Sequence, residues 1–193
     1  MLRHDCAKMP VEEDSMRNLF LVSLICLAQF GSAQAPAPPY AIPNPTYVSI
    51  PMEVTVNRPA AEVWKRVGKF CDIGEWLRIP CTITSGKDGE FGAVRSVASE
   101  VLVGKTELSY TYTQPVRTDR PYNLYHGTLE ARPVTATTSK LVYTLVYDNS
   151  MIAEDARERD RAQRRTQFTQ ALENMKILAE GGTLPPAPAR GQR

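Results

Sequence analysis

The sequence predicts an α+β domain in which an antiparallel sheet carries its helices on one side. Three observations lead there. Between Cys81 and Asp148 the apolar residues recur mostly at every second position, the period of half-buried strands. One further alternating segment and two short helical ones precede that stretch. After it, Phe168, Leu172, Met175 and Leu178 recur at i, i+4, i+7 and i+10, the stripe of an amphipathic helix.

The elements follow in order. In "YVSIPMEVTVNRP", Val48, Ile50, Met52, Val54 and Val56 fall on one face, with Ser49, Glu53 and Thr55 on the other, which predicts the first strand. Pro59 stands where the first turn of a helix tolerates it. Val63, Val67 and Phe70 then keep helical spacing, with Trp64 beside them. A short second helix around Asp72 to Trp76 ends before Pro80. "CTITSG" is a short strand ended by Gly86, and "GKDGEFG" is a glycine-rich hairpin turn. "AVRSVA", "SEVLVG" and "ELSYTYTQ" follow as strands. "YNLYHGTLEAR" and "SKLVYTLVYD" are two longer ones, separated by Pro133 and a threonine-rich turn. The final helix begins with "EDARERDRAQRR", charged nearly all round and expected to be solvated.

The flanks have a different composition. From Arg17 an apolar run, Leu19 to Phe30, leads into Gly31, Ser32 and Ala33. That is the order of a secretory signal peptide, and the run is short for a membrane span. The expected division is a signal peptide over 1–33 with its start at Met16, and a proline-rich linker over 34–46. A folded domain over 47–181 and a disordered tail over 182–193 complete it. The alternative is that the apolar segment is kept as an anchor. With cleavage, the protein is periplasmic or secreted, and no integral membrane span remains after processing.

The chain has 193 residues, 42% hydrophobic and 23% charged, which fits one globular core with tails. Its 23 basic and 21 acidic residues nearly balance, so charge gives no argument for a nucleic-acid partner or an anionic membrane. Export would remove Cys6 and Cys26 and leave Cys71 and Cys81 in an oxidising compartment. Those two either bridge, tying a helix end to the next strand, or remain two buried thiols. Their spacing is not CxxC, and no further Cys or His stands near them, so neither a redox motif nor a metal site is expected. No phosphate loop, dinucleotide fingerprint or G-x-S-x-G occurs, and no cofactor is expected.

The segments "VNRPAAEVWKRVGKF", "GEWL", "FGAVR", "SEVLV", "LSYTYTQP", "YHGTLEARP" and "FTQALENMKILAE" together resemble the START-like, or SRPBCC, superfamily and its polyketide cyclase/dehydrase group, over about 47–180. The resemblance implies a helix-grip fold, a seven-stranded antiparallel sheet wrapped around the long C-terminal helix, with two short helices after strand one. It also implies an interior cavity for apolar or amphipathic molecules. Such proteins transport lipids, bind hormones and secondary metabolites, or catalyse cyclisations and dehydrations.

By that resemblance Glu100 looks into the cavity, and strand parity sets Leu102 beside it. Tyr110, Tyr112 and Tyr125 match cavity-lining positions, facing Phe168 and Leu172 of the last helix. Glu100 is the one catalytic candidate, as acid, base or hydrogen-bond anchor; its alternative is a strand-end carboxylate paired with Lys or Arg. The tyrosines are either ligand contacts or core residues with satisfied hydroxyls. Trp64 and Trp76 read as packing residues, with Trp76 the better functional candidate. His126, opposite in parity to Tyr125, reads as facing outward. Two functions stay open: a binding protein for a hydrophobic or amphipathic small molecule, or a cyclase/dehydratase-like enzyme using Glu100 and cavity tyrosines. A weaker third is a protein-contact role for the charged helix start and proline tails. Neither the ligand nor the oligomeric state is legible.

Overall fold

Residues 44–186 are described by a computed structural model. The expected signal peptide, most of the proline-rich linker and the end of the tail lie outside the described residues. Seven strands form one sheet: β1 (Tyr47–Val56), β2 (Ile83–Ser85), β3 (Val94–Arg95), β4 (Glu100–Thr106), β5 (Ser109–Thr113), β6 (Asn123–Pro133) and β7 (Ser139–Asp148). Their order across the sheet is β1-β7-β6-β5-β4-β3-β2, and every pairing is antiparallel. Three helices cover one face: α1 (Ala60–Val67), α2 (Ile73–Trp76) and α3 (Glu154–Ala179). This is the helix-grip architecture.

Alternation sets the inner face. Along β6 the buried residues are Asn123, Tyr125, Gly127, Leu129 and Ala131, and along β7 they include Leu141, Tyr143, Leu145 and Tyr147. His126 falls on the opposite face from Tyr125, half-buried. In α3 the buried residues are Phe168, Ala171, Leu172, Met175 and Leu178, the stripe that the spacing gives. The first half of that helix is mostly exposed, as its charge suggests, with Arg164 the residue that turns onto the sheet. Arg164 lies 4.6 Å from the ring centre of Tyr122 and 4.5 Å from that of Tyr147, and its Nε donates to Asp160 at 2.9 Å. Asp160 in turn accepts from the Tyr147 hydroxyl at 2.6 Å. Arginine buries its flat face on aromatic rings at little cost because the guanidinium is weakly hydrated.

Three details position the rest. Cys71 and Cys81 are bridged, with Cα atoms 5.6 Å apart, closing a loop around α2. β1 is an edge strand with Pro51 near its middle, and Arg165 Nη1 donates to the Pro51 carbonyl at 3.0 Å. After α3, Gly181 takes φ +89°, a left-handed conformation that glycine adopts without strain. The chain then folds back, so that Leu184 packs against the core and the Pro185 carbonyl accepts from Arg78. These residues belong to a segment expected to be disordered; the apolar Leu184 and the Arg78 contact hold them.

Candidate functional site

The site begins with a turn. Between β3 and β4 the Glu100 N–H donates to the Val97 carbonyl at 3.0 Å, and Ala98 and Ser99 both take positive φ, 50° and 54°. Ala98 and Ser99 are the two left-handed residues of a four-residue connection, Ser96 to Ser99, a conformation that Asn and Gly adopt more readily. Ala and Ser accept it at a cost in strain. The turn sets Arg95 directly across from Glu100.

Arg95 is fully buried, an unusual place for an arginine. Its Nε donates to Glu100 Oε2 at 2.6 Å, and its Nη1 donates to the Phe70 carbonyl at 2.5 Å. The guanidinium stacks on the Phe70 ring, 4.3 Å to the centre, and on Tyr112, 4.7 Å. Nη2 lies 2.5 Å from the same Glu100 oxygen but off line, and completes no hydrogen bond. Glu100 Oε1 accepts from Gln114 Nε2 at 2.9 Å, and Gln114 Oε1 accepts from the Tyr122 hydroxyl at 3.0 Å. Burial pushes the Glu100 carboxyl above the usual carboxylate range, and Arg95 and Gln114 pull it partly back. Burial opposes the charge on Arg95 too, but Glu100 and the phenol oxygens around it outweigh that and hold it above its ordinary value.

The tyrosines gather beside this pair. The Tyr112 and Tyr143 hydroxyls are 2.9 Å apart. Tyr112 lies across from Gly127, where a Cβ would meet the Tyr112 ring at 2.4 Å, so the missing side chain makes room for the ring. Burial raises the pKa of Tyr110, Tyr112, Tyr125 and Tyr143 above that of an exposed phenol, which keeps all four protonated donors at neutral pH. Tyr110 Oη is buried beside the Arg95 guanidinium and completes no well-formed hydrogen bond among the described residues.

Glu100, Leu102, Tyr110, Tyr112 and Tyr125 thus come together on the inner face of the sheet. Phe168 packs on Tyr143, ring centres 4.8 Å apart, and Leu172 is fully buried. The expected cavity between sheet and C-terminal helix is a correction. Tyr143, Tyr147, Trp76 and Phe168 fill that space with side chains. The long helix lies over β1 and β7, and α1 over β6 and β7, which leaves the β4–β5 side less covered. There a hollow of about 480 Å³ opens, with Trp64, Phe70, Leu102 and Tyr110 as apolar walls and Lys69, Asp88, Lys105 and Glu107 at its polar rim. Of the expected contacts, Leu102 and Tyr110 line this hollow; Glu100, Tyr112, Tyr125, Phe168 and Leu172 do not.

Trp64, not Trp76, is the tryptophan at the hollow; the Trp76 ring is wholly buried against Tyr143. A larger groove of about 730 Å³ runs between α2 and the outer face of α3, lined by Trp76, Gln163, Gln167, Gln170 and Pro185 among others, and does not reach the Arg95–Glu100 cluster. His126 is partly buried, which lowers its pKa, and its Nδ1 has no partner among the described residues. Sequence reading missed Arg95, Gln114 and Arg164. Arg95 shares parity with the buried Ala93, a faint signal that it points inward.

No family model matches the chain, and no curated protein matches it. Solved structures do. A protein from Thermobifida fusca is 25% identical, with TM-score 0.58, covering 71% of this chain and 97% of that one. The Zhui aromatase/cyclase from Streptomyces sp. R1128 is 18% identical, with TM-score 0.53 and coverage of 72% and 100%. Truncated norcoclaurine synthase from Thalictrum flavum is 13% identical, with TM-score 0.54 and coverage of 74% and 99%. The fold is therefore the START-like, polyketide cyclase-like helix-grip fold. These likenesses define the fold and not the activity.

Proposed function

We propose that this is an exported binding protein for a hydrophobic or amphipathic small molecule, held in the hollow beside β4 and β5. The observation that carries the reading is the aromatic wall of Trp64, Phe70 and Tyr110, which ends against a buried Arg95–Glu100 pair. Ligand sites of this kind are concave, mostly apolar and provided with few polar groups. The balanced rim, two lysines and two acids, suits a polar or zwitterionic end left at the mouth.

The cyclase/dehydratase alternative has less support. Both Glu100 oxygens are engaged, by Arg95 and Gln114, and the carboxyl does not line the hollow. A general acid or base must reach the proton it moves. Two of the similar structures are enzymes by name, at identities that carry fold alone.

Export rests on the Leu19–Phe30 run with small residues at 31 and 33, and the Cys71–Cys81 bridge suits an oxidising compartment. Native mass spectrometry of protein recovered from the periplasm or medium tests both halves. The expected result is an N-terminus at Gln34 or nearby and a co-purified apolar small molecule. A retained Met1 or Met16 terminus on the exported protein overturns cleavage, and protein found only in the cytoplasm overturns export. An unliganded protein that also fails to take up any apolar probe overturns binding.

A further inference from the structure

We propose that the Cys71–Cys81 bridge is a redox control on the hollow: bridged, the protein holds its ligand, and reduced, it lets the ligand go. The inference rests on the reading of the hollow as the binding site and adds how that site is regulated.

The walls of the hollow are held in two different ways. Leu102 and Tyr110 stand on β4 and β5, and Trp64 stands within α1, so regular backbone hydrogen bonds fix them. Gly68, Lys69 and Phe70 form another part of the wall, and they follow the end of α1, outside any helix or strand. The residue after these three is Cys71. The Lys69 N–H donates to Asp72 Oδ2 at 2.8 Å and closes the turn on itself. Two links then tie that turn to the sheet. Arg95 Nη1 donates to the Phe70 carbonyl, with the guanidinium 4.3 Å from the centre of the Phe70 ring. Cys71 is joined to Cys81, two residues ahead of β2.

The second link is covalent, so it limits how far Phe70 can move from Tyr110, whose ring centre is 5.6 Å away. A wall fixed before the ligand arrives spares the ordering cost of binding. Without the bridge that cost returns and affinity falls. Both cysteines are half-buried rather than sealed in the core, so a small dithiol has access. The exchange balances. The dithiol attacks one sulfur, passes through a mixed disulfide, and gives up two electrons and two protons. Cys71 and Cys81 become thiols, and the reductant closes to a disulfide.

The test uses the neutral apolar probe N-phenyl-1-naphthylamine, read by its fluorescence. It is added to the oxidised protein, to the same protein reduced with dithiothreitol, and to Cys71→Ser with Cys81→Ser. The oxidised form should bind, and affinity should be about tenfold lower in the other two, the scale of ordering a mobile side chain. Cooperative melting should persist in all three. By linkage, saturating probe should make the bridge harder to reduce by the same factor, a shift of about 30 mV to more reducing potential. Equal affinity in the oxidised and reduced forms overturns the inference and leaves the binding function standing. Loss of cooperative melting in both unbridged forms also overturns it, since the bridge then sustains the whole fold instead of the site. Lower affinity under dithiothreitol but not in the serine variant assigns the effect to the reductant and overturns the inference too. If the oxidised form takes up no probe, the binding function and the inference fall together.

Discussion

Arg95 and Glu100 face each other across one tight turn, 2.6 Å from Nε to Oε2, and neither has meaningful contact with water. A buried ion pair contributes little when whole and costs a great deal when halved.

Arg95→Met leaves Glu100 buried without its cation. We expect a loss of about 3–5 kcal/mol at pH 7, read from the urea midpoint. The loss should depend on pH. Burial raises the Glu100 carboxyl above its ordinary 4.5, and removing Arg95 removes a group that opposes the rise. Between the unfolded and the raised folded pKa the folded state binds more protons, so stability falls as pH rises through that window. The deficit of the variant should therefore be smallest below 4.5 and largest at neutral pH. Arg95→Met with Glu100→Gln should recover much of the loss. A deficit independent of pH would show that packing, not charge, accounts for it.

The turn between β3 and β4 is strained at Ala98 and Ser99. Replacing the two with Asn and Gly suits the same backbone. The exchange should stabilise the protein by about 1 kcal/mol, seen as a higher denaturation midpoint at unchanged slope. A lower midpoint would mean that these side chains make contacts worth more than the strain.

Gly127→Ala drives a methyl into the Tyr112 ring. The ring is locked in a full core, so the expected cost is about 1–3 kcal/mol. Pairing the change with Tyr112→Ala should make the glycine substitution nearly silent in a double-mutant cycle. Additive costs would show that the backbone at Gly127, rather than the ring, suffers.

Reduction of the Cys71–Cys81 bridge opens a loop of ten-residue separation. Cys71→Ser with Cys81→Ser should lower stability by about 2–3 kcal/mol. The effect should extend to Phe70, which adjoins Cys71 and carries both the ring and the carbonyl that hold Arg95. Hydrogen exchange across residues 68–81 reads this directly. Unchanged exchange there would confine the bridge to a purely local role.

Much of this fold is legible in the sequence because the two sheet faces differ sharply. Val48 to Val56, Tyr125 to Ala131 and Leu141 to Tyr147 each alternate cleanly, and a one-residue slip would expose the core. The stripe on α3 is legible for the same reason. Arg95 is not, since a strand arginine ordinarily points to water and its partner lies beyond a turn, Ala98–Ser99, that lacks the usual Asn-Gly signal. Nor is the place of the hollow. Periodicity says which residues face inward, but whether Tyr143 and Phe168 meet or leave a gap depends on how α3 crosses the sheet. Arg164 escapes notice because its neighbours in sequence are charged, while its neighbours in space are Tyr122 and Tyr147.

Pro51 has a consequence for how this molecule meets others of its kind. It pairs with Thr144 on its inner side, and its carbonyl, turned outward, is occupied by Arg165. The nitrogen of the same residue points the same way and carries no hydrogen. Midway along the margin of the sheet, then, neither the nitrogen nor the carbonyl of Pro51 can greet an incoming strand. A ten-residue ribbon with five apolar side chains would otherwise be an inviting template for fibrous growth. One imino acid and one guanidinium interrupt that template and guard the chain against stacking edge to edge.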